Sequence, residues 1–262
     1  MRRQVRSSCF IFRFLVFKFL AIIILAGCSD GRPPNEVNSL EDIPGRIIGA
    51  LSGTPSARLA GELGIARVFY SGDELVYGLT VGLVDCAVME GVMAGELVSG
   101  TQGVRILSET LLEYELRFAV PRENAELLEA VNSALASLNS NGTLRSLRDK
   151  YFSGRNYTYT PPEGVAQLPG ELTLAISPDL PPYSFIDANG EYTGLDVEVA
   201  RAVCDYLGVG LTVIEEDARE LVTAVWYGRA NIAAGWLPGD VDEQVRVSEA
   251  YANTEHVVLV RR

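Results

Sequence analysis

The sequence predicts an α/β protein of mainly parallel sheets flanked by helices, arranged in two pieces. Three observations carry this. Strand-like and helix-like segments alternate from residue 45 to 152 and again from 171 to the end. A Gly-, Pro- and Tyr-rich stretch without periodicity, 153–169, separates the two runs. The composition, 48% hydrophobic and 21% charged over 262 residues, is that of a folded chain able to bury a sizeable core.

Residues 1–27 stand apart. A basic start, an uncharged apolar run from Phe19 to Leu25 and small residues before Cys28 have the form of a secretory signal. Leu25-Ala26-Gly27-Cys28 resembles a bacterial lipobox, which implies lipidation at Cys28 as the first mature residue. A single membrane anchor is the other reading, but the run is shorter than the roughly 20 residues a spanning helix needs. Residues 28–40, polar with a Pro33-Pro34 pair, read as the lipidated cysteine and its tether.

The elements then follow in order. "GRIIGAL" (45–51) reads as a strand, and "PSARLAGEL" as a helix with Pro55 in its first turn. "ARVFYS" is a strand, "GDELVYGLTVG" a helix and "VDCAVME" a strand, followed by "VRIL" and an alternating "EYELRFAVP". In "NAELLEAVNSALASL", Leu127, Leu128, Val131, Leu135 and Leu138 form one apolar helical stripe, which Asn141-Gly142 ends. "TLRSLRDKYF" is a second helix. Beyond 153–169 come strand "ELTLAIS", helix "GLDVEVARAVCDYLG", strand "GLTVIE", helix "ARELVTAVWYGR" and strand "ANIAAG". A short helix over 239–245 and a last strand "HVVLV" close the chain. No segment of the second run repeats the first in sequence, which speaks against duplication.

Charge and rare residues exclude several functions. Loss of residues 1–27 removes five basic residues and no acidic one, leaving 17 basic against 34 acidic. Such a surface repels nucleic acid and anionic headgroups. Cys86 and Cys204, each in an apolar stretch, are expected as buried free thiols. With one histidine, His256, and no CxxC, neither a zinc site nor any cofactor is expected. No G-x-S-x-G or Cys/His pair supports an enzyme.

"ELTLAISPDLPPYSFIDANGEYTGLDVEVARAVCDYLGV" (171–209) resembles the opening of the family 3 extracellular solute-binding proteins, receptors of polar amino-acid ABC importers. It has the strand, the Pro-Pro-aromatic elbow, the D-x-N-G turn and the G-[FL]-D-V-[DE] helix start. "ELVTAVWYGRANIAAGWLPGD" and "VSEAY" are similar to the family's L-x-x-G and F-S-x-x-Y stretches. "SLEDIPGRIIGALSGTPSA", "GLVDCAVME" and residues 118–152 resemble its second lobe and closing segment. The resemblance implies a two-lobed periplasmic-binding-protein-like fold, circularly permuted, because the second lobe comes first in this chain.

The expected organisation is lobe 2 over 41–115, the closing part of lobe 1 over 116–152, a linker joining the original termini over 153–169, and the first part of lobe 1 over 170–262. The new termini would open one hinge strand between Val260 and Ser39, leaving a single covalent crossing near 114–121 and a loose hinge. A gene fragment spanning two tandem domains, paired by swapping, is the other reading.

Ligand contacts are expected where the lobes meet. Ser52 and Thr54 precede a helix whose start favours an anion; an ordinary N-cap is the plainer account. The resemblance implies that this loop faces a ligand carboxylate and that Glu90 holds a ligand ammonium; a surface acid is the alternative for Glu90. In lobe 1, Ser177, Leu180 and Tyr183 fall on the elbow, Asp217 after "LTVIEE", and Gly235, Trp236 and Leu237 after the next strand. The family's carboxylate-binding Arg would fall at Val241 or Asp242, neither of them basic, with Arg246 out of register. A bidentate guanidinium is the usual reader of a carboxylate. A cationic or neutral polar ligand is therefore an alternative to an ordinary amino acid, with Asp217 and Glu90 holding it beside the Trp236 or Tyr183 ring. The function implied is a monomeric lipoprotein on the extracytoplasmic face, passing a small polar ligand to an ABC permease. A degenerate sensor or scaffold without uptake is the second reading.

Overall fold

The segment Ile47–Leu51 (β1) is buried along four of its five residues, as befits a strand covered on both faces of a parallel sheet. The computed structural model describes residues 36–162, 170–235, 237, 243 and 245–262. The signal segment, Cys28, Trp236, Val241 and Asp242 lie outside the described residues.

From β1 the chain continues through helix α1 (Pro55–Leu63), β2 (Ile65–Phe69), α2 (Gly72–Thr80), β3 (Cys86–Glu90) and α3 (Gly91–Ser99) to β4 (Val104–Ile106). Then come β5 (Leu112–Leu116), β6 (Ala119–Pro121), α4 (Ala125–Ser140) and α5 (Thr143–Ser153). The second run holds β7 (Glu171–Ile176), a small ribbon of β8 (Asp179–Leu180), β9 (Ser184–Ile186) and β10 (Tyr192–Thr193), then α6 (Leu195–Leu207). It ends with β11 (Gly210–Glu215), α7 (Leu221–Trp226), β12 (Ile232–Ala233), β13 (Val245–Val247) and β14 (Ala252–Arg261).

Helix starts follow local chemistry. Ser71 and Asn124 cap α2 and α4, accepting from the backbone N–H of Glu74 (3.2 Å) and Leu127 (3.0 Å). The expected run 113–121 is broken into β5 and β6. Helix α3 and the ribbon β8–β10 have no counterpart in the sequence reading, and α7 is shorter than expected. Of the helix expected over 239–245, residues 239–242 and 244 are outside the described residues, and Val245 begins a strand.

Apart from the β8–β10 ribbon, the described strands form two sheets of the same plan. Lobe 2 has the order β2-β1-β3-β14-β4, with β5 on β14, and lobe 1 has β11-β7-β12-β6-β13. In each, three parallel strands in the order second-first-third meet an antiparallel strand arriving from the other half of the chain. The fourth strand of the series closes the edge. The topology repeats where the sequence does not. Apolar clusters cover both faces of each sheet, around Leu75 and Ile48 in lobe 2 and around Leu174 and Leu221 in lobe 1.

The last strand corrects two expectations. Placed by the sequence in lobe 1, β14 instead pairs with β5 over 252–256, then with β3 and β4 over 256–261, deep in the lobe 2 sheet. It leaves the lobe 1 core at Tyr251, so β5 and β14 together form an antiparallel two-stranded hinge. Two covalent crossings, not one, lie among the described residues. The first described segment and the C-terminal residues lie beyond the hinge, beside β4: Arg105 pairs with Val260 and donates to Asn38 Oδ1 at 3.5 Å, and the Arg262 N–H donates to Gly103 at 2.9 Å. Cys86 and Cys204 are free and buried, and burial pushes both thiols up to about 12.

Candidate ligand-binding cleft

The first βα turn of each lobe meets the other across a cleft of about 550 Å³. From lobe 2 come Leu51 to Thr54, where β1 passes into α1, and Tyr70 after β2. From lobe 1 come Ser177 to Leu180 after β7 and Glu215 to Arg219 after β11. All these loops follow the carboxyl ends of parallel strands, where open α/β sheets hold ligands.

Gly53 takes a positive φ of 72°, and a Cβ there would lie 3.0 Å from the Ala218 Cβ of lobe 1. The two loops therefore touch at the mouth of the cleft. The Thr54 hydroxyl donates to the Leu51 carbonyl at 2.8 Å, tightening the turn into α1. In lobe 1, Gly194 has a φ of 117°, and a Cβ there would be 2.2 Å from the Tyr183 carbonyl oxygen. Only glycine lets the α6 N-terminus close on the elbow, where the Leu195 and Asp196 N–H groups donate to Pro182 (3.1 Å) and Tyr183 (3.0 Å).

Five residues singled out from sequence thus meet in one cleft: Ser52, Thr54, Ser177, Leu180 and Asp217. Glu90 and Tyr183 do not line it. Glu90 is 1% exposed and caps α3, accepting from the N–H groups of Val92 (3.1 Å) and Met93 (3.0 Å) and from the Thr254 hydroxyl. Tyr183 is equally buried, its hydroxyl 3.0 Å from Thr254 Oγ1. Gly235 packs against Leu221, and the Leu237 carbonyl accepts from the Tyr114 hydroxyl. Glu90 also borders a second cavity of about 450 Å³ at the hinge, with Glu113, Phe152 and Asn253 to Glu255.

Sequence reasoning missed Arg219. Its guanidinium forks onto Asp217, with Nε to Oδ1 and Nη2 to Oδ2 both at 2.9 Å. That contact holds the Asp217 carboxyl well below the usual carboxylate range and raises Arg219. The signal was present in the string Glu215-Glu216-Asp217-Ala218-Arg219, whose opposite charges at 217 and 219 share a side of the loop. Glu216 is held by Arg229 (2.8 and 3.1 Å).

Two α/β lobes, a two-stranded hinge and a polar cleft between strand ends define a periplasmic-binding-protein-like fold. Residues 172–262 match the family model of the bacterial extracellular solute-binding proteins, family 3. It is 29% identical over 143 residues to the histidine-binding periplasmic protein of Escherichia coli, covering 50% of this chain and 53% of that one. To the L-cystine-binding protein of Escherichia coli it is 28% identical over 120 residues, 44% of this chain and 45% of the other. To the arginine-binding protein of Corynebacterium glutamicum it is 32% identical over 73 residues, 28% and 24% of the two chains. The chain thus spans about half the length of the curated relatives it matches at greatest extent. A phosphate-binding protein of a Streptococcus pneumoniae phosphate ABC transporter superposes with a TM-score of 0.45 at 14% identity, over 83% of this chain and 89% of that one.

Proposed function

We propose that the protein captures a small polar solute, a cationic amino acid foremost, between its lobes and passes it to an ABC permease. The observation that carries this is the cleft whose walls come from both lobes, with Ser52 to Thr54 on one side and a charged loop on the other. The carboxylates Asp179 and Glu215 on its lobe 1 wall, which carry no ion pair among the described residues, favour a cationic ligand, in keeping with the histidine- and arginine-binding relatives. Binding across both walls would shift the open–closed population, the change a permease reads.

The same reading includes a signal over 1–27, a lipid anchor at Cys28 holding the protein at the extracytoplasmic face, and a circular permutation. The permutation is supported by the two sheets of one plan, by 153–169 lying between α5 and β7 in the chain, and by Asn38 and Arg262 both lying beside β4. A second reading, a sensor or scaffold without uptake, is favoured by Glu90: the carboxylate expected to hold a ligand ammonium is already engaged by Thr254 and the α3 amides.

A thermal-shift screen of amino acids, polyamines, quaternary amines, nucleosides and small peptides separates the two. A ligand at about 100 times its dissociation constant adds roughly 2.7 kcal/mol, raising Tm by about 5–10 °C. No shift across the library, with no ligand co-purifying by mass spectrometry, would leave the sensor or scaffold reading.

A further inference from the structure

Arg219 is the cationic side chain among the described residues lining the cleft, and it stands 22 to 23 positions before the place where a carboxylate-binding Arg was expected. Its stem faces the other lobe: Cγ lies 4.0 Å from where a Gly53 Cβ would be, and Ala218 beside it touches the same loop. The guanidinium is spent on Asp217, two residues away and in the same cleft wall. Both members are open to solvent, with side chains 71% and 49% exposed, so water screens the pair and its rupture costs little. An α-amino acid carries the same two charges, carboxylate and ammonium, a few ångströms apart.

We propose that the Asp217–Arg219 ion pair is the cleft's recognition element for the zwitterionic head of an amino acid, exchanged on binding. The ligand carboxylate takes the Arg219 fork, and the ligand ammonium takes the Asp217 carboxylate. Two ion pairs replace one, with no net charge left unpaired. Lobe closure then excludes water from the exchanged pairs and strengthens them, because Arg219 and Ala218 lie against the Gly53 loop. Asp179 and Glu215, in the same wall, remain for a cationic side chain. The planar fork, which lysine lacks, makes Arg219 the determinant of carboxylate preference.

This rests on the reading of the cleft as an amino-acid site, and the test keeps the two apart. Isothermal titration of the full chain in detergent uses two pairs of probes that differ by one carboxylate: L-arginine against agmatine, and L-histidine against histamine. The wild type is expected to prefer the amino acid of at least one pair by about 10–100-fold, the scale of a charge-assisted contact. Arg219→Gln should abolish that preference while leaving the amine's affinity within about threefold, and Arg219→Lys should restore part of it. Asp217→Asn should weaken amino acid and amine alike, since both carry the ammonium. Arg219→Gln retaining the preference would overturn the exchange while leaving amino-acid capture standing. Amines binding as tightly as amino acids in the wild type would overturn it too, and no binding of any probe would remove both readings.

Discussion

The Tyr183 hydroxyl lies 3.0 Å from Thr254 Oγ1, joining the elbow of lobe 1 to the hinge strand that returns to lobe 2. Thr254 gives its own proton to Glu90, and Tyr183 bonds both Thr254 and Glu90, so the three residues form one buried relay between the lobes. A buried carboxylate that loses one of its donors is left less well satisfied, which destabilises the fold. Thr254→Val should therefore cost about 1–3 kcal/mol, and Tyr183→Phe, which removes a hydroxyl bonded to the same pair, a similar amount. Urea unfolding followed by circular dichroism measures both. Equal midpoints for wild type and Thr254→Val would show that the relay contributes nothing.

The contact between Gly53 and Ala218 supplies a probe of lobe closure. A methyl group at 53 meets two costs: a positive φ of 72°, disfavoured by about 1–2 kcal/mol, and a Cβ–Cβ approach of 3.0 Å. Only the second depends on the lobes being together. Gly53→Ala should thus open the cleft, seen as a larger radius of gyration in X-ray scattering, and Gly53→Ala with Ala218→Gly should restore the wild-type radius while keeping the loss of stability. An unchanged radius in the single variant would mean that the loops do not limit closure. The paired hinge of β5 and β14 predicts that opening is a rotation about two strands, not the loose swing a single crossing would give.

The core strands and the cleft loops were legible in the sequence because each depends on local pattern. The apolar run of β1 and the Ser52–Thr54 turn sit within ten residues of chain, as do the elbow strand β7 and Ser177. Hinge membership was not legible, because "HVVLV" has the same composition whether its partners are β3 and β4 or strands of lobe 1. Glu90 illustrates the limit at the site. Its place at the end of β3 could be read, but whether its oxygens face a ligand or cap α3 depends on Thr254, 164 residues away. Arg219 shows the converse limit: register points to Val241 or Asp242, whereas a guanidinium is placed by the loop that carries it.

Asp196 is fully buried in lobe 1, accepting from the Tyr251 hydroxyl at 2.7 Å and the Ser184 hydroxyl at 3.1 Å. Burial outweighs these donors and pushes its carboxyl up to about 7, against 3.8 for an ordinary aspartate. The folded state therefore holds a proton that the unfolded chain has released between pH 4 and 7, and stability falls as pH rises through that window. The slope is at most about 1.4 kcal/mol per pH unit. Asp196→Asn lacks this loss, so its stability relative to the wild type should increase from pH 5 to pH 7.5 in urea titrations. A constant difference between the two proteins would mean that Asp196 ionises as readily in the fold as in water.

His256 works in the opposite sense. It is fully buried on β14, opposite Glu90 on β3 and Leu112 on β5, with the Tyr114 ring edge-on at 5.9 Å. Neither ring nitrogen has a hydrogen-bond partner among the described residues, and burial lowers its pKa to about 4 from 6.5. Below pH 6.5 the unfolded chain takes up a proton that the fold refuses, so this group withdraws stability as pH falls from 6.5 toward 4. Asp196 gains stability over an overlapping range, and the two slopes oppose each other in the wild type. His256→Leu should leave the Asp196 slope uncovered, making the protein more stable at pH 5 than at pH 7 by roughly 1–2 kcal/mol. Asp196→Asn should show the reverse tilt, and the double variant a nearly flat profile between pH 5 and 7. If His256→Leu instead follows the wild-type pH profile with a fixed offset, the imidazole takes up its proton in the fold as readily as in the unfolded chain, and burial does not set its titration.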